Sequence, residues 1–215
     1  MTIHRIEWID QLKGLMLLLV IIEHIGSIPS QIAPFLYFFG GAAMPVYFAL
    51  SGYLFSANKS LGVFLLSKVK TLLIPYFLIS ILIVFLDHNT YLPDGGAYFI
   101  NEMCRILIYG ISASKATPMW FVLTLFLINL SFYPIVKAKN RNWLFFCLGF
   151  VSACVAWTIS QENIKLLLNF ESYFAAVPFF VIGFLIREQN LVTISNNIGG
   201  GHNFNIAVST FPISL

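Results

Sequence analysis

Long apolar runs dominate this chain and restrict the folds open to it. They cover residues 12–28, 35–55, 71–86, 119–136, 143–159 and 173–186. A helix needs about 20 apolar residues to cross the hydrocarbon core of a bilayer. The runs approach that length and do not alternate polar with apolar residues, which disfavours the strands of a membrane barrel. Only 10% of the 215 residues are charged, against about a quarter in soluble domains. The sequence therefore predicts an all-α, polytopic transmembrane helical bundle.

The charged segments predict how the bundle is oriented. Basic residues gather in 59–70 and 137–141, whereas 87–117 carries acidic residues. Within the latter, residues 98–112 have the length of an interfacial or re-entrant helix rather than a full span. If that segment does not cross, both basic segments fall on one side, and the positive-inside rule places them and the N-terminus in the cytoplasm. We expect six to seven spans plus an interfacial helix, in a single membrane domain covering residues 1–215.

The first apolar run carries ionisable residues at both ends. At 3.6 residues per turn, Asp10, Lys13, Leu17, Val20 and His24 are predicted to share one stripe, with Lys13 and His24 about 16 Å apart. Ionisable groups at membrane depth are functional-site candidates by default. A neutral imidazole suits a general base, although a histidine that only bonds neighbouring helices fits the same pattern.

Other polar and aromatic residues have both a structural and a functional interpretation. Asp10 and Lys13 stand three residues apart, so the structural interpretation is an ion pair at the end of the helix. The functional interpretation is that Lys13 binds a phosphate-bearing donor as a point charge. Lys68 and Lys70 precede Leu-Leu-Ile-Pro-Tyr, where lysines usually anchor a span. Pro75 is predicted in the first turn of the third span, where a missing N–H is tolerated. No zinc spacing, serine triad, P-loop or dinucleotide signature appears in the sequence, so neither a metal nor a nucleic-acid partner is expected.

Several short motifs occur in a recognisable order. They are Lys13, ten residues, then His24; Phe48-Ala-Leu-Ser-Gly-Tyr-Leu54; a basic segment running from Lys68 to Tyr76; Trp120-Phe121; and Val177-Pro-Phe-Phe-Val-Ile-Gly-Phe184. Over residues 5–187 this order resembles the integral-membrane acyltransferase-three family, which O-acylates sugars. The sugar O-acetylase branch, with its Ile-Asp-x-Leu-Lys-Gly opening, is the most similar.

The resemblance implies a reaction and a set of site residues. The donor is expected to be acetyl-CoA or another acyl-CoA, and the acceptor a hydroxyl of a sugar or cell-envelope glycan, at the bacterial inner membrane and surrounded by membrane lipid. The residues it implies are His24, Asp10 and Lys13 for catalysis; Lys13, Lys68, Lys70 and Tyr76 for the donor; and Glu23, Ser51 and Trp120 for the acceptor.

Two departures from the family pattern leave other functions open. The family's two arginines, three residues apart, are replaced by Lys68 and Thr71 here. The family bundle has about ten helices, whereas this chain has six long apolar runs. The chain is therefore expected to be incomplete at its C-terminus. A membrane transporter or permease that uses Lys13 and His24 as a proton path is one alternative, and an inactive truncated bundle is another.

Overall fold

The protein is described by a computed structural model that covers residues 7–23, 31, 33–88, 95–109, 119–138, 141–162 and 166–188. Within those residues every regular element is a helix. The α-helices are α1 (Glu7–Glu23), α2 (Ala33–Tyr53), α3 (Leu61–Lys68), α4 (Ile74–His88), α5 (Gly95–Tyr109), α6 (Trp120–Val136), α7 (Arg141–Glu162) and α8 (Phe170–Glu188). A π-helical segment, Val69–Leu73, joins α3 to α4, and a 3₁₀ turn, Leu167–Asn169, precedes α8.

Within the described ranges, four helical runs are long and apolar enough to cross a membrane, judged by length and composition. They are Ala33–Tyr53, Leu61–Leu86, Trp143–Glu162 and Leu167–Glu188, and Trp120–Val136 is a shorter apolar helix. Large apolar side chains such as Phe38, Leu78 and Phe150 point outward, as on a surface that lipid covers. Each predicted apolar run coincides with a helix in the part of the chain that is described, and the predicted helical membrane bundle is confirmed.

The helix that begins at Leu61 differs from the prediction of a basic loop ahead of a span. Lys68 and Lys70 lie within one continuous helical run rather than in a loop, and Pro75 lies well inside it, not in its first turn. A proline inside a helix has no N–H to donate, and its ring crowds the carbonyl four residues earlier, here that of Thr71. The wider π-helical turn directly before Pro75 accommodates that missing bond, so the helix continues.

Helix α5 corresponds to the predicted interfacial or re-entrant segment. It has 15 residues, fewer than a full span needs, and it packs against α4. Its Glu102 is only 6% exposed and accepts from Nη1 of Arg105 at 3.2 Å. Residues 110–112 of the predicted segment lie outside the described residues, and its position in the interface stays a prediction.

Two glycines bring α2 and α8 into backbone contact. A Cβ added to Gly52 would overlap the carbonyl oxygen of Phe180, and one added to Gly183 would overlap that of Ala49. Small residues allow such close approach between helices in lipid, where no hydrophobic drive brings them together. Arg187 donates to the carbonyl of Phe55, just past the end of α2. The C-terminal ends of α2 and α8 therefore lie side by side, and the two helices run parallel.

An aromatic cluster fixes α6 and α7 to this crossing. Phe132 of α6 lies against Phe180 at 4.6 Å between ring centroids and stacks on Phe145 of α7 at 5.1 Å. Phe55 contacts the same group edge-on. Such ring pairs contribute beyond the area that they bury. The core is thus centred on the glycine crossing.

Candidate functional site

Lys13 lies on the face of α1 that packs against the bundle. Among the α1 side chains that the structure describes, Ile9 and Met16 are buried and Lys13 is half-buried between them. Leu17, which the predicted stripe placed beside Lys13, is 52% exposed. Contact with α2 therefore covers the part of the helix surface that contains residues 9, 13 and 16.

Tyr47 connects Lys13 to α2. Its hydroxyl donates to the backbone carbonyl of Lys13 at 2.7 Å, and a Trp8–Tyr53 ring contact at 6.0 Å joins the same two helices nearer the start of α1. Because residue 8 meets 53 and residue 13 meets 47, the pair is antiparallel. Ser51, half-buried, is one helical turn from Tyr47, so the fold places Lys13 and Ser51 on neighbouring helices.

Asp10, Glu23 and His24 are the remaining predicted residues of the first helix. Asp10 is half-buried within α1. Glu23 ends the helix, but its side chain is outside what the structure describes, and so is the whole of His24. The roles assigned to Glu23 and His24 therefore stay predictions.

The predicted donor lysines lie close to the end of α2. Lys68 is half-buried, and its Nζ stands 5.4 Å from the centroid of the Phe64 ring, within the range of a cation–π contact. Phe64 in turn lies edge-on to Phe55, which follows α2. Lys70 is exposed on the π-helical segment. The two ammonium groups thus belong to one end of the bundle.

A further lysine at this end belongs to the predicted basic segment 137–141, although no role in the site was predicted for it. Lys137 donates from Nζ to the hydroxyl of Tyr133 at 2.7 Å, and that hydroxyl donates to the carbonyl of Lys59 at 2.9 Å. The Tyr133 ring also contacts Phe64 at 4.7 Å. Basic residues directly after an apolar run are the sequence signal that placed 137–141 on the same side as 59–70, but the sequence could not predict the contact through Tyr133.

Tyr76 lies apart from the lysines predicted to act with it. It is 1% exposed and packs with Val84, Ile106 and Leu123 between α4, α5 and α6. Its hydroxyl has no hydrogen-bond partner among the described residues. A buried unpaired hydroxyl is rare enough to need an explanation. Tyr76 can contact only the part of a donor that reaches between these helices.

Trp120 lines an apolar slot between α2, α6 and α8. The tryptophan is half-buried and its ring lies 6.2 Å from that of Phe48. The slot is open on one side and has a cavity volume of about 130 Å³. Its lining consists of Met44, Pro45, Phe48, Trp120, Ser172, Ala175, Ala176 and Phe179.

A polar turn borders the slot at the start of α8. The Ser172 hydroxyl donates to Oδ1 of Asn169 at 3.0 Å, and Oε2 of Glu171 accepts from the backbone N–H of Leu166 at 3.1 Å. Leu168 and Asn169 both adopt left-handed backbone conformations, with φ of 52° and 59°, which few residues other than glycine adopt. An asparagine before an apolar run, with a glutamate in the first turn, signals a helix start, but its place beside the slot could not be predicted.

Comparison with known proteins identifies the family. A family model described as an acyltransferase domain matches residues 6–208, a range that contains every described helix. Searches among curated proteins and among solved structures found no match. Lys13, Ser51, Lys68, Tyr76 and Trp120 all lie within the matched range. The chain is a membrane acyltransferase domain and belongs to the acyltransferase-three family.

Proposed function

We propose that this protein transfers an acetyl or other short acyl group from acyl-CoA to a hydroxyl of a sugar or cell-envelope glycan, at the bacterial inner membrane. The observation that carries the proposal is the position of Lys13. It is an ionisable residue on the packed face of a helix in a membrane acyltransferase, and Tyr47 fixes its backbone against α2. Ionisable residues facing a bundle interior are expensive to keep there, which favours a functional role.

The donor is proposed to bind at the end of the bundle where Lys68 and Lys70 lie, which the positive-inside rule assigns to the cytoplasm. Acyl-CoA is a polyanion, and lysine ammonium groups attract phosphates as point charges without the fork geometry of arginine. Lys68 is partly withdrawn from solvent, so its charge is less screened than that of an exposed lysine. The donor chain would extend inward toward Lys13 and the Tyr76 hydroxyl.

The chemistry assigned to the predicted residues is acyl transfer assisted by a base. The His24 imidazole takes the proton of the acceptor hydroxyl, whose oxygen bonds to the acyl carbon as the carbon–sulfur bond of the thioester breaks. The proton then passes to the leaving thiolate. Asp10 and Lys13 orient the donor end of the site, while Glu23, Ser51 and Trp120 contact the acceptor. General-base assistance of this kind typically contributes about 10²–10⁴-fold.

Transfer of labelled acetyl groups tests the proposal. Membranes containing the protein are given radiolabelled acetyl-CoA, and esterified label in envelope material is counted. His24→Ala should lower transfer about 10²–10⁴-fold, whereas His88→Ala, at a histidine with no assigned role, should not. Full activity of a folded His24→Ala variant would remove His24 from the mechanism.

Two results would favour the alternatives. Folded protein that never esterifies or hydrolyses the donor would favour an inactive bundle. Uptake of a labelled sugar into vesicles without any acyl donor would favour a transporter.

A further inference from the structure

The slot between α2, α6 and α8 opens sideways, toward the surroundings of the bundle. Ala175 and Phe179 line it and are also exposed on the outside of α8. The glycine crossing holds α2 and α8 together at Gly52 and Gly183. Nearer the start of α8, the small side chains of Ala175 and Ala176 leave the space between the two helices unfilled. Because α8 belongs to a run long and apolar enough to cross a membrane, an opening on its exposed side is accessible to a ligand dissolved in the bilayer.

We propose that the acceptor sugar reaches the enzyme attached to a hydrocarbon chain in the bilayer, and that this slot binds the part of the chain next to the sugar. The inference rests on the proposed function and names the class of acceptor: a lipid-linked sugar rather than a free one.

The lining of the slot favours hydrocarbon over a bare sugar. Its described side chains carry one hydroxyl, that of Ser172, and are otherwise apolar or aromatic. A sugar ring presents several hydroxyl groups, and each would be buried without a partner, which is unfavourable. The donor is also a poor occupant, because its phosphates fit the lysines at the end of the bundle.

Polar groups lie at one border of the slot. Asn169 is 2% exposed, and its Nδ2 has no hydrogen-bond partner among the described residues, although its Oδ1 accepts from Ser172. The Ser172 oxygen retains capacity to accept a hydrogen bond. Trp120 adds an aromatic face and an indole N–H. A hydrocarbon chain in the slot would thus carry its hydroxylated head toward groups able to bind it.

The slot also adjoins the helix pair that carries Lys13. Phe48 lines the slot, while the preceding residue, Tyr47, donates to the Lys13 carbonyl. Two adjacent residues of α2 therefore contact the predicted catalytic helix and the slot. In the proposed step an acceptor hydroxyl oxygen forms the new ester bond, the thioester carbon–sulfur bond breaks, and the proton moves through His24 to the released thiolate.

The test follows labelled acetyl groups in membranes of the cells that naturally contain the protein. After a short pulse of radiolabelled acetyl-CoA, label is counted in an organic extract and in water-soluble glycan. The wild type should first label a lipid whose sugar, freed by mild acid, carries the base-labile ester. Ala175→Leu should lower this lipid labelling about 10-fold, because the larger side chain blocks the mouth. Ala175→Val, a smaller intrusion, should give an intermediate loss.

Ala153→Leu is the matched control, since Ala153 is exposed on α7 and does not line the slot. Label that appears in water-soluble glycan without ever passing through the extract would overturn the inference and leave the proposed function standing. Lipid labelling that survives both Ala175 variants would show that the slot holds an ordinary membrane lipid, which also overturns it. No labelled product from folded wild type would instead refute the proposed function.

Discussion

Replacing Gly52 with alanine should destabilise the bundle, because the added methyl meets backbone. Its Cβ would overlap the carbonyl oxygen of Phe180, and a carbonyl within a helix cannot rotate aside, so α2 and α8 must separate. Overpacking costs about 1–3 kcal/mol, and rigid backbone puts this site at the upper end. Alanine recovers about 0.5–1 kcal/mol of helix propensity. The net loss is about 2 kcal/mol.

Thermal unfolding in detergent micelles, followed by tryptophan fluorescence, measures the effect. At about 2–4 °C per kcal/mol for a chain of this size, the Gly52→Ala variant should melt about 4–8 °C below wild type. Gly41 is the matched control, because it lies in the same helix and an added Cβ there meets nothing within 4 Å. Gly41→Ala should therefore leave the melting temperature unchanged or raise it.

A double variant tests the mechanism itself. Gly183→Ala strains the same crossing from the other side, against the carbonyl of Ala49. One separation of α2 from α8 relieves both overlaps, so the double variant should lose less stability than the sum of the single variants. If Gly52→Ala melts like Gly41→Ala, or if the two crossing variants add fully, the close backbone contact is not what stabilises the bundle.

Two further predictions concern α2 and the π-helical segment. Tyr47→Phe removes the hydrogen bond to the Lys13 carbonyl and should cost about 1 kcal/mol of stability. Tyr37→Phe is the control, because Tyr37 is exposed on the same helix, and it should cost nothing. Equal losses in melting temperature for the two variants would contradict this prediction. Pro75→Ala restores an N–H that can bond to the Thr71 carbonyl, so the π-helical turn should relax to α-helix. The added hydrogen bond should raise the melting temperature. The loss of the π turn should rotate Lys68 by about 100° relative to α4 and thereby lower acetyl transfer. An unchanged melting temperature together with full transfer would refute the account of the π turn.

The sequence predicted the helices well because lipid leaves few choices. An apolar run of near-spanning length must satisfy its own backbone hydrogen bonds, so it forms a helix wherever it packs. The second run was predicted at 35–55 and the helix is Ala33–Tyr53; the fifth was predicted at 143–159 and the helix is Arg141–Glu162. Polar flanks blur the boundaries, and the helix carrying Lys68 therefore began ten residues earlier than residue 71, the predicted start.

The site was less predictable, because its partners come from distant parts of the chain. Lys13 was a candidate from its chemistry and Trp120 from the family resemblance, but the sequence could not show that Tyr47 binds the Lys13 backbone or that Trp120 packs on Phe48. Tyr76 was expected beside the lysines, and the fold instead buries it between α4, α5 and α6. His24 lies outside the described residues, so its role depends on the transfer experiment.

The sequence by itself determined that this protein lies in a membrane and that its secondary structure is helical. Apolar runs with few charges require a bilayer and helices, and the ordered motifs matched the family that the comparison then identified. Only the tertiary structure decided which helix faces meet. In lipid all apolar faces are nearly equivalent, so close backbone fit, not hydrophobicity, selects the partners. That selection joined Gly52 to α8, left the slot beside Trp120, and turned Lys13 rather than Leu17 toward the bundle.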